Sequence, residues 1–381
     1  MSTVRRLTPE MVVLDPACGS GIFLVLALRR LIEQHIAAQA NGRIAPSTLI
    51  DLLTNFYGVE RETDACYVTE FSLLLTILHY IEPPELHKHV TFHFPSLHNT
   101  QIFNGDFFDD SLDLWRKHLR FDWIVGNPPW VKAAQGSRTG EAEDPGGASA
   151  AVPQERAASW MEAKKEAHPV GDRSVAEAFS WRVGTMLKDD GLAGLVMPGT
   201  SLVNLNSRKY RAAFFTTHQV FRITNFANLR RFLFGGRSEA PAATLVYAKV
   251  SEERTKAEII HYGPFLINQI PQLKGAPWAL VINEDEIQTI PAQEAEKGET
   301  TTWKLALWGS YRDRRSFERL RWLFPTTLET YCELQGWGTH LPQQGLESRA
   351  DAGEGTNRAV TSDKLRNTKA FSLNRYNTGI P

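Results

Sequence analysis

The chain has 381 residues, of which 42% are hydrophobic and 22% charged, ordinary values for a globular protein. Its length predicts two domains, or one large domain with an appendage. The formal net charge of −1 excludes an overall cationic surface, so contact with nucleic acid needs a local basic patch. Three widely spaced cysteines, histidines without ligand spacing and no signal-peptide pattern predict a cytoplasmic protein without a disulfide framework or a metal.

Predicted strands alternate with predicted helices along the first 250 residues. The strands are expected at 11–15, 56–60, 101–106, 121–126 and 191–199, and near 221–226 and 243–250. The helices are expected at about 20–38, 63–80, 174–186, where Ser174 and Glu177 fit a capping box, and 208–215. This pattern predicts a doubly wound, mostly parallel, seven-stranded α/β sheet, in which ligands bind beyond the carboxyl ends of the strands.

Two stretches interrupt the alternation. Residues 133–171 are small, polar and glycine-rich, which predicts a mobile insertion loop. Residues 251–300 mix charge, proline and short apolar runs, which predicts a linker or a small subdomain.

A glycine loop, Asp15-Pro16-Ala17-Cys18-Gly19-Ser20-Gly21, lies between the first strand and the first helix. Glycines let a backbone approach a ligand closely, and the helix N-terminus adds free N–H donors. A tight turn that binds nothing is the alternative. The loop lacks the spacing of a dinucleotide-binding motif, which favours a ligand without a pyrophosphate.

Acidic residues after the next two strands favour a nucleoside as this ligand. Glu60 ends the second strand, where a carboxylate can accept both ribose hydroxyls. Asp106 ends the third, where it can accept from an adenine amino group, and Phe107 can stack on the ring. Each acid alone is more often a strand-end cap, but together they predict one nucleoside site.

The fourth strand is followed by Asn127-Pro128-Pro129-Trp130. A rigid turn is the alternative, since proline cannot continue a central strand. The amide oxygen of Asn127 and the carbonyl of Pro128 can accept both hydrogens of an adenine amino group, which makes its nitrogen more nucleophilic. Trp130 offers a face for the base, which has to be flipped out of the duplex to reach such a pocket.

These motifs in this order resemble the N6-adenine DNA methyltransferases, most closely the gamma-type order of type I and combined restriction–modification enzymes. The similarity extends through the helix after Asp172 and the strand at 191–198, and less firmly to about Val250. The resemblance implies that residues 1–250 form a Rossmann-like class I methyltransferase domain. The WGSYRDRRSFERL stretch at 308–320 resembles the connector before a target-recognition region, expected over 301–381.

The resemblance implies S-adenosylmethionine as cofactor and methylation of adenine N6 in double-stranded DNA, within a restriction–modification or phage-defence system. It assigns Glu60 to the ribose, Asp106 and Phe107 to the adenine, and Phe179 to the wall of the cleft. It assigns the methionine side to Asp15, Pro16, Ala17, Cys18, Gly19 and Gly21, and catalysis to Asn127, Pro128, Pro129 and Trp130.

A basic and aromatic stretch between residues 201 and 238 contains no acid, and we expect it to contact DNA phosphates. A solvated helix face is the alternative. The candidate DNA-binding residues are Arg208, Lys209, Arg211, Arg230, Arg231 and Arg237. A second, weaker candidate consists of Arg312, Arg314, Arg315, Arg319 and Arg321.

Only fourteen residues precede Asp15, whereas enzymes of the resembled family carry an N-terminal segment there. We therefore expect an exposed apolar edge near residues 1–14 and around the cleft, where a partner chain supplies the N-terminal or target-recognition segments. Two alternatives stay open. One is a methyltransferase acting on glutamine N5 in a protein or on an RNA base; the other is a non-catalytic or split-enzyme subunit that binds DNA or a partner.

Overall fold

The computed structural model describes residues 8–39, 42–82, 93–117, 120–133, 152–233, 240–250, 258–265, 282–326, 330–331, 334–335, 338–340 and 370–372. The chain divides into two units, Met1–Ser310 and Tyr311–Pro381. In the part of the chain that the structure describes, no helix is long and apolar enough to cross a bilayer.

The strands of the first unit form one twisted sheet. They are β1 (Val13–Asp15), β2 (Phe56–Glu60), β3 (Ile102–Asn104), β4 (Phe121–Gly126), β5 (Leu187–Pro198), β6 (His218–Asn225), β7 (Ala242–Lys249), β8 (Ile259–Tyr262) and β9 (Ile287–Ile290). Their order is β3-β2-β1-β4-β5-β7-β6-β8-β9. Strands β1 to β5 pair in parallel, and β7 is antiparallel to both its neighbours. The doubly wound sheet is confirmed.

Helices cover both faces of this sheet. They are α1 (Ile22–Ala38), α2 (Pro46–Leu53), α3 (Thr63–His79), α4 (Asp113–Arg116), α5 (Val152–Lys164), α6 (Val175–Met186), α7 (Thr200–Val203), α8 (Arg208–Thr217), α9 (Arg230–Leu233), α10 (Ala292–Ala295) and α11 (Thr300–Trp308). Side chains of α1, α2 and α3 form one apolar cluster, and those of α6, α8 and α11 belong to a second. Burial of these two clusters provides the main free energy of folding.

The prediction of seven strands is wrong, because the described residues form a sheet of nine. Strands β8 and β9 lie within 251–300, the segment expected to be a linker or small subdomain, and extend the edge beyond β6. Each has only four residues. So short a run carries little alternation, and its pairing partner decides its conformation.

The predicted loop at 133–171 contains a helix, α5, so this expectation is also wrong in part. Ala157 and Met161 of α5 are buried in the second apolar cluster. Most of its remaining residues are small or polar, and the amphipathic pattern is therefore too weak to predict the helix. Residues 134–151 of this stretch lie outside the described residues.

Large apolar side chains on the outer surfaces of α1 and α3 are exposed. They are Ile22, Leu26, Tyr67, Val68, Phe71, Leu75 and Leu78. Some of these follow the glycine loop closely, at the start of α1. Residues 1–7 of the edge predicted near residues 1–14 lie outside the described residues. Met11, Val13 and Leu14 are buried, so the expectation of an exposed apolar edge is wrong for the described part of that segment. The predicted partner chain stays a prediction.

The second unit contains helix α12 (Tyr311–Leu323) and two short parallel strands, β10 (Gly338–His340) and β11 (Ala370–Ser372). None of the residues of α12 is buried. Its arginines include those of the second basic candidate. Contact of these arginines with DNA stays a prediction.

Candidate active site

The glycine loop at the carboxyl end of β1 is held against α3. Gly19 and Gly21 have φ angles of 54° and 81°, in the left-handed region that favours glycine. The Thr69 hydroxyl donates to the carbonyl of Gly19 at 2.7 Å. A Cβ at Gly21 would lie 2.8 Å from a Thr69 methyl group, so close packing with α3 also requires glycine here.

Glu60, at the end of β2, braces this loop. Its carboxylate accepts backbone hydrogen bonds from Gly19 at 2.9 Å, Arg61 at 2.8 Å and Glu62 at 3.0 Å. The predicted acid therefore lies beside the loop. A ribose that uses Glu60 has to share or replace these backbone donors, so its predicted ribose contact stays a prediction.

Asp15 is fully buried behind the loop. Its Oδ1 accepts from the Ala17 N–H at 3.1 Å, whereas Oδ2 has no hydrogen-bond partner among the described residues. Burial raises the pKa of Asp15 to about 7, the Ala17 N–H opposes this shift, and the nearby Glu60 charge adds to it. A Cβ at Gly126 would lie 2.6 Å from Asp15 Oδ1, so β4 can pass this carboxyl group only if residue 126 is glycine.

Asp106 and Phe107 form the next part of the site, after β3. The Phe108 N–H donates to Asp106 Oδ1 at 2.8 Å, and burial raises the pKa of Asp106. The Phe107 ring stacks on Phe179 of α6, with centroids 4.8 Å apart and planes at 15°. The Arg182 guanidinium lies 5.5 Å from the Phe107 centroid. Phe107 and Phe179 therefore form one aromatic wall.

A cavity of about 410 Å³ joins these groups to the Asn-Pro-Pro-Trp turn. This volume lies in the ordinary range for small-molecule sites, about 300–1,000 Å³. The predicted site residues that line it are Pro16, Ala17, Glu60, Asp106, Phe107, Asn127, Pro129 and Phe179. Asp15, Cys18, Gly19, Gly21, Pro128 and Trp130 are not among its lining residues.

Cys18 illustrates a loop residue with a packing role. Its thiol is buried and lies 3.8 Å from the Thr69 hydroxyl. Burial raises the pKa of Cys18 well above its ordinary value, and the Asp15 charge adds to this shift. A neutral, inert thiol is what this environment favours.

The Asn-Pro-Pro-Trp turn leaves β4 at the mouth of the cavity. Asn127 and Pro129 are exposed, and Pro128 between them is buried. The indole N–H of Trp130 donates to the carbonyl of Val196 at 3.3 Å, which anchors the half-buried ring on β5. The Asn127 side chain therefore faces the opening, while Pro128 and Trp130 of the same motif are held in place.

Helix α5 is a part of the site that sequence reasoning missed. Ala157 lines the cavity, and the Trp160 ring contacts Phe108 with centroids 5.4 Å apart. Arg156 forms an ion pair with Asp109. The tryptophan in an otherwise polar stretch is the signal that indicates this packing. Helix α5 therefore covers the loop that carries Asp106.

The structure divides the predicted DNA-binding set. Arg211 is fully buried and donates to the carbonyls of Gly298, Ser201 and Asn204, so its assignment to DNA contact is wrong. Arg208 is exposed and pairs with Glu299 at 2.6 Å.

Lys209 and Arg230 are exposed, and Lys209 lines an open groove between α5 and α8. Their contact with DNA stays a prediction. The Arg231 side chain and Arg237 lie outside the described residues.

A doubly wound sheet that carries its glycine loop, its acids and its Asn-Pro-Pro turn at one edge has the fold of a class I methyltransferase, as predicted. Residues 1–148 match the family model described as the DNA-methyltransferase domain of MmeI. The resemblance to restriction–modification DNA methyltransferases is therefore confirmed.

One curated relative is the type II methyltransferase M.BstVI of Geobacillus stearothermophilus, 31% identical over 126 residues. The match spans 32% of this chain and 19% of that relative, so the chain corresponds to about a fifth of its length.

Solved structures give remote likenesses. The type ISP enzyme LlaBIII bound to DNA is 15% identical, with a TM-score of 0.49, over 66% of this chain and 17% of that one. The type IIL enzyme MmeI in complex with DNA is 14% identical, with a TM-score of 0.41, over 72% of this chain and 35% of that one.

Proposed function

We propose that this chain carries the catalytic domain of a restriction–modification enzyme that transfers a methyl group from S-adenosylmethionine to adenine N6 in DNA. The observation that carries the proposal is the shared cavity. Asp106 and Phe107 line one part of it, and Asn127 and Pro129 line another. A cofactor held by the first pair would therefore lie within reach of a base held by the second.

The residues present fit S-adenosylmethionine. The cavity has two carboxylates, Glu60 and Asp106, for hydroxyl and amino donors, and the Phe107–Phe179 wall for an adenine ring. Pro16 and Ala17 line the same space at the start of the glycine loop, where the methionine part of the cofactor would lie. When bound, the cofactor supplies an activated methyl group.

Asn127 and Pro128 would orient the target base. The Asn127 amide oxygen and the Pro128 carbonyl accept the two amino hydrogens and draw the nitrogen lone pair out of conjugation. The nitrogen then forms its bond to the methyl carbon as the carbon–sulfur bond breaks, and one amino proton passes to water. Because such a displacement depends on alignment, rigid placement of this turn contributes directly to the rate.

DNA would reach the site as a flipped-out base, since the amino group is inaccessible within a duplex. The exposed Lys209 and Arg230 are available for phosphate contact. Anchoring of Trp130 to Val196 fixes the plane of a ring that can stack on the flipped base.

Methyl-group incorporation from radiolabelled S-adenosylmethionine tests the proposal. We expect label in the adenine fraction of a mixed-sequence duplex and none in a duplex of only guanine and cytosine. Label in cytosine, or in protein rather than DNA, would contradict the proposal.

A further inference from the structure

The catalytic turn is continued by a short strand pairing with the segment before α6. The Val175 N–H donates to the carbonyl of Val131 at 3.0 Å, and the Ala133 N–H donates to the carbonyl of Arg173 at 3.0 Å. These two bonds begin directly after Trp130. The direction in which the Asn-Pro-Pro-Trp turn leaves β4 is therefore set by residues 171–175.

The segment at 171–174 is itself a tight turn in an unusual conformation. The Ser174 N–H donates to the carbonyl of Gly171 at 2.9 Å. Asp172 and Arg173, neither a glycine, have φ angles of 50° and 54°. Left-handed residues of this kind persist only where their surroundings hold them.

A buried carboxylate, Glu177, holds this turn from behind. Its side chain is 1% exposed. Oε2 accepts from the Gly171 N–H at 2.5 Å, and Oε1 accepts from the Ser207 hydroxyl at 2.7 Å. A Cβ at Gly171 would lie 2.4 Å from Ser207 Oγ, so the turn is pressed between Glu177 and the start of α8.

A second buried charge accompanies this carboxylate. Arg211, fully buried on α8, interacts favourably with Glu177 and keeps its own position through three backbone carbonyls. Burying a carboxyl and a guanidinium group costs free energy, and burial raises the pKa of Glu177 to about 7. In some proteins buried ionic groups of this kind fix one conformation. Glu177 does not line the cavity. If it only capped α6, its carboxylate would accept from the backbone N–H of Ser174 rather than from that of Gly171.

We propose that Glu177 is a positioning residue for methyl transfer, which orients Asn127 through the 171–174 turn and its pairing with residues 131–133. This inference rests on the function proposed above. Glu177 touches neither the cofactor cavity nor the target base. It acts on the alignment of the reacting nitrogen rather than on binding.

Three variants of the full chain test this role. Glu177→Leu removes both acceptors, whereas Glu177→Gln can still accept from Gly171 and donate to Ser207. Glu286→Leu is the matched control, because Glu286 is also buried and accepts from the Asn283 N–H at 2.8 Å, remote from the cavity. Measured quantities are kcat on duplex DNA, the Kd of S-adenosylmethionine, and hydrogen exchange of residues 127–133.

We expect Glu177→Leu to lower kcat by about 10- to 100-fold, the cost of misalignment, with an unchanged Kd. Of these three variants, only Glu177→Leu should show faster exchange of the amides at 127 and 130–133. Glu177→Gln should keep kcat near the parent value, and Glu286→Leu should leave both kcat and exchange at 127–133 unchanged. A Glu177→Leu protein with the parent's kcat and exchange would overturn the proposal.

A further variant tests the same role if Glu177→Leu does not fold. Ser207→Ala keeps the Glu177 side chain and removes the hydroxyl that donates to its Oε1 at 2.7 Å. It should lower kcat and speed amide exchange at 127 and 130–133 in the same direction as Glu177→Leu, and unchanged values of both would overturn the proposal. If the parent transfers no methyl group but the exchange results hold, the proposed function fails while the link from turn to loop stands.

Discussion

Asp15 is a carboxyl group in an environment that favours its protonated form. Its folded-state pKa of about 7 lies above the ordinary value of 3.8, chiefly because of burial. Between these two values the folded protein keeps a proton that the unfolded chain has lost. The contribution of Asp15 to the free energy of unfolding therefore falls as the pH rises from about 4 to about 7, and stays low above that range.

Asp15→Asn should remove this pH dependence, because the amide does not ionise. We subtract the parent's free energy of unfolding from that of Asp15→Asn at each pH. This difference should be more favourable to the variant at pH 8 than at pH 5. Denaturant unfolding at both pH values measures this difference, and Asp51→Asn, on the exposed side of α2, is the control. An equal offset at both pH values would rule out the assigned pKa shift.

Asp106 should contribute directly to cofactor affinity through its carboxylate. Asp106→Ala is expected to weaken S-adenosylmethionine binding by about 1.5–3 kcal/mol, the range for hydrogen bonds to a charged group. Titration calorimetry measures the loss, with Asp51→Ala as the control. Parent-like affinity in Asp106→Ala would remove its cofactor role.

Arg211 and Lys209 lie on the same helix, α8, but substituting them should affect different properties, stability for Arg211 and DNA binding for Lys209. Arg211→Met leaves three backbone carbonyls without their donor and should lower the free energy of unfolding by about 3 kcal/mol. Lys209→Ala should leave stability unchanged and reduce the salt dependence of DNA binding by about one phosphate contact. Thermal unfolding and DNA binding at several salt concentrations separate the two, and a parent-like free energy of unfolding in Arg211→Met would contradict its structural role.

At the scale of elements, helix α5 should limit the space available to the cofactor. Ala157 is buried and lines the cavity, so Ala157→Phe would fill part of its volume. We expect weaker S-adenosylmethionine binding, whereas Ala163→Phe, on the exposed side of the same helix, should bind like the parent. Equal affinity in both variants would mean that α5 does not border the cofactor site.

Sequence patterns predicted the elements whose signal is local. Strands β1 and β4 are apolar runs that end at a glycine loop or a proline turn. Because β1 to β4 are parallel, Asp106 after β3 and Asn127 after β4 lie at the same edge of the sheet. The proposed capping box is only half present. The Ser174 hydroxyl accepts from the Glu177 N–H at 3.4 Å, but the Glu177 carboxylate bonds Gly171 instead.

The features that sequence reasoning missed depend on distant partners. The burial of Arg211 requires carbonyls from residues 201, 204 and 298, which no local pattern relates to one another. Strand β9 exists because β8 offers it an edge. Glu60 was predicted at the site, but its hydrogen bond to Gly19 depends on the exact placement of two separate strands.

At the scale of the whole molecule, the candidate site lies entirely within the first unit. Its buried apolar lining residues belong to the second apolar cluster, and the sheet carries the glycine loop, the acids and the Asn-Pro-Pro-Trp turn at one edge. The second unit is not needed to form the cavity. Its arginine-bearing helix α12 is the predicted connector toward target recognition, which stays a prediction.

The central claim is that this site methylates adenine in DNA. Mass spectrometry of nucleosides from host cells tests it most directly, in cells that express the parent, in cells that express Asn127→Ala, and in cells without the gene. We predict N6-methyladenine above background with the parent and at background in the other two. Equal N6-methyladenine in all three, or a rise that persists in Asn127→Ala, would contradict the account.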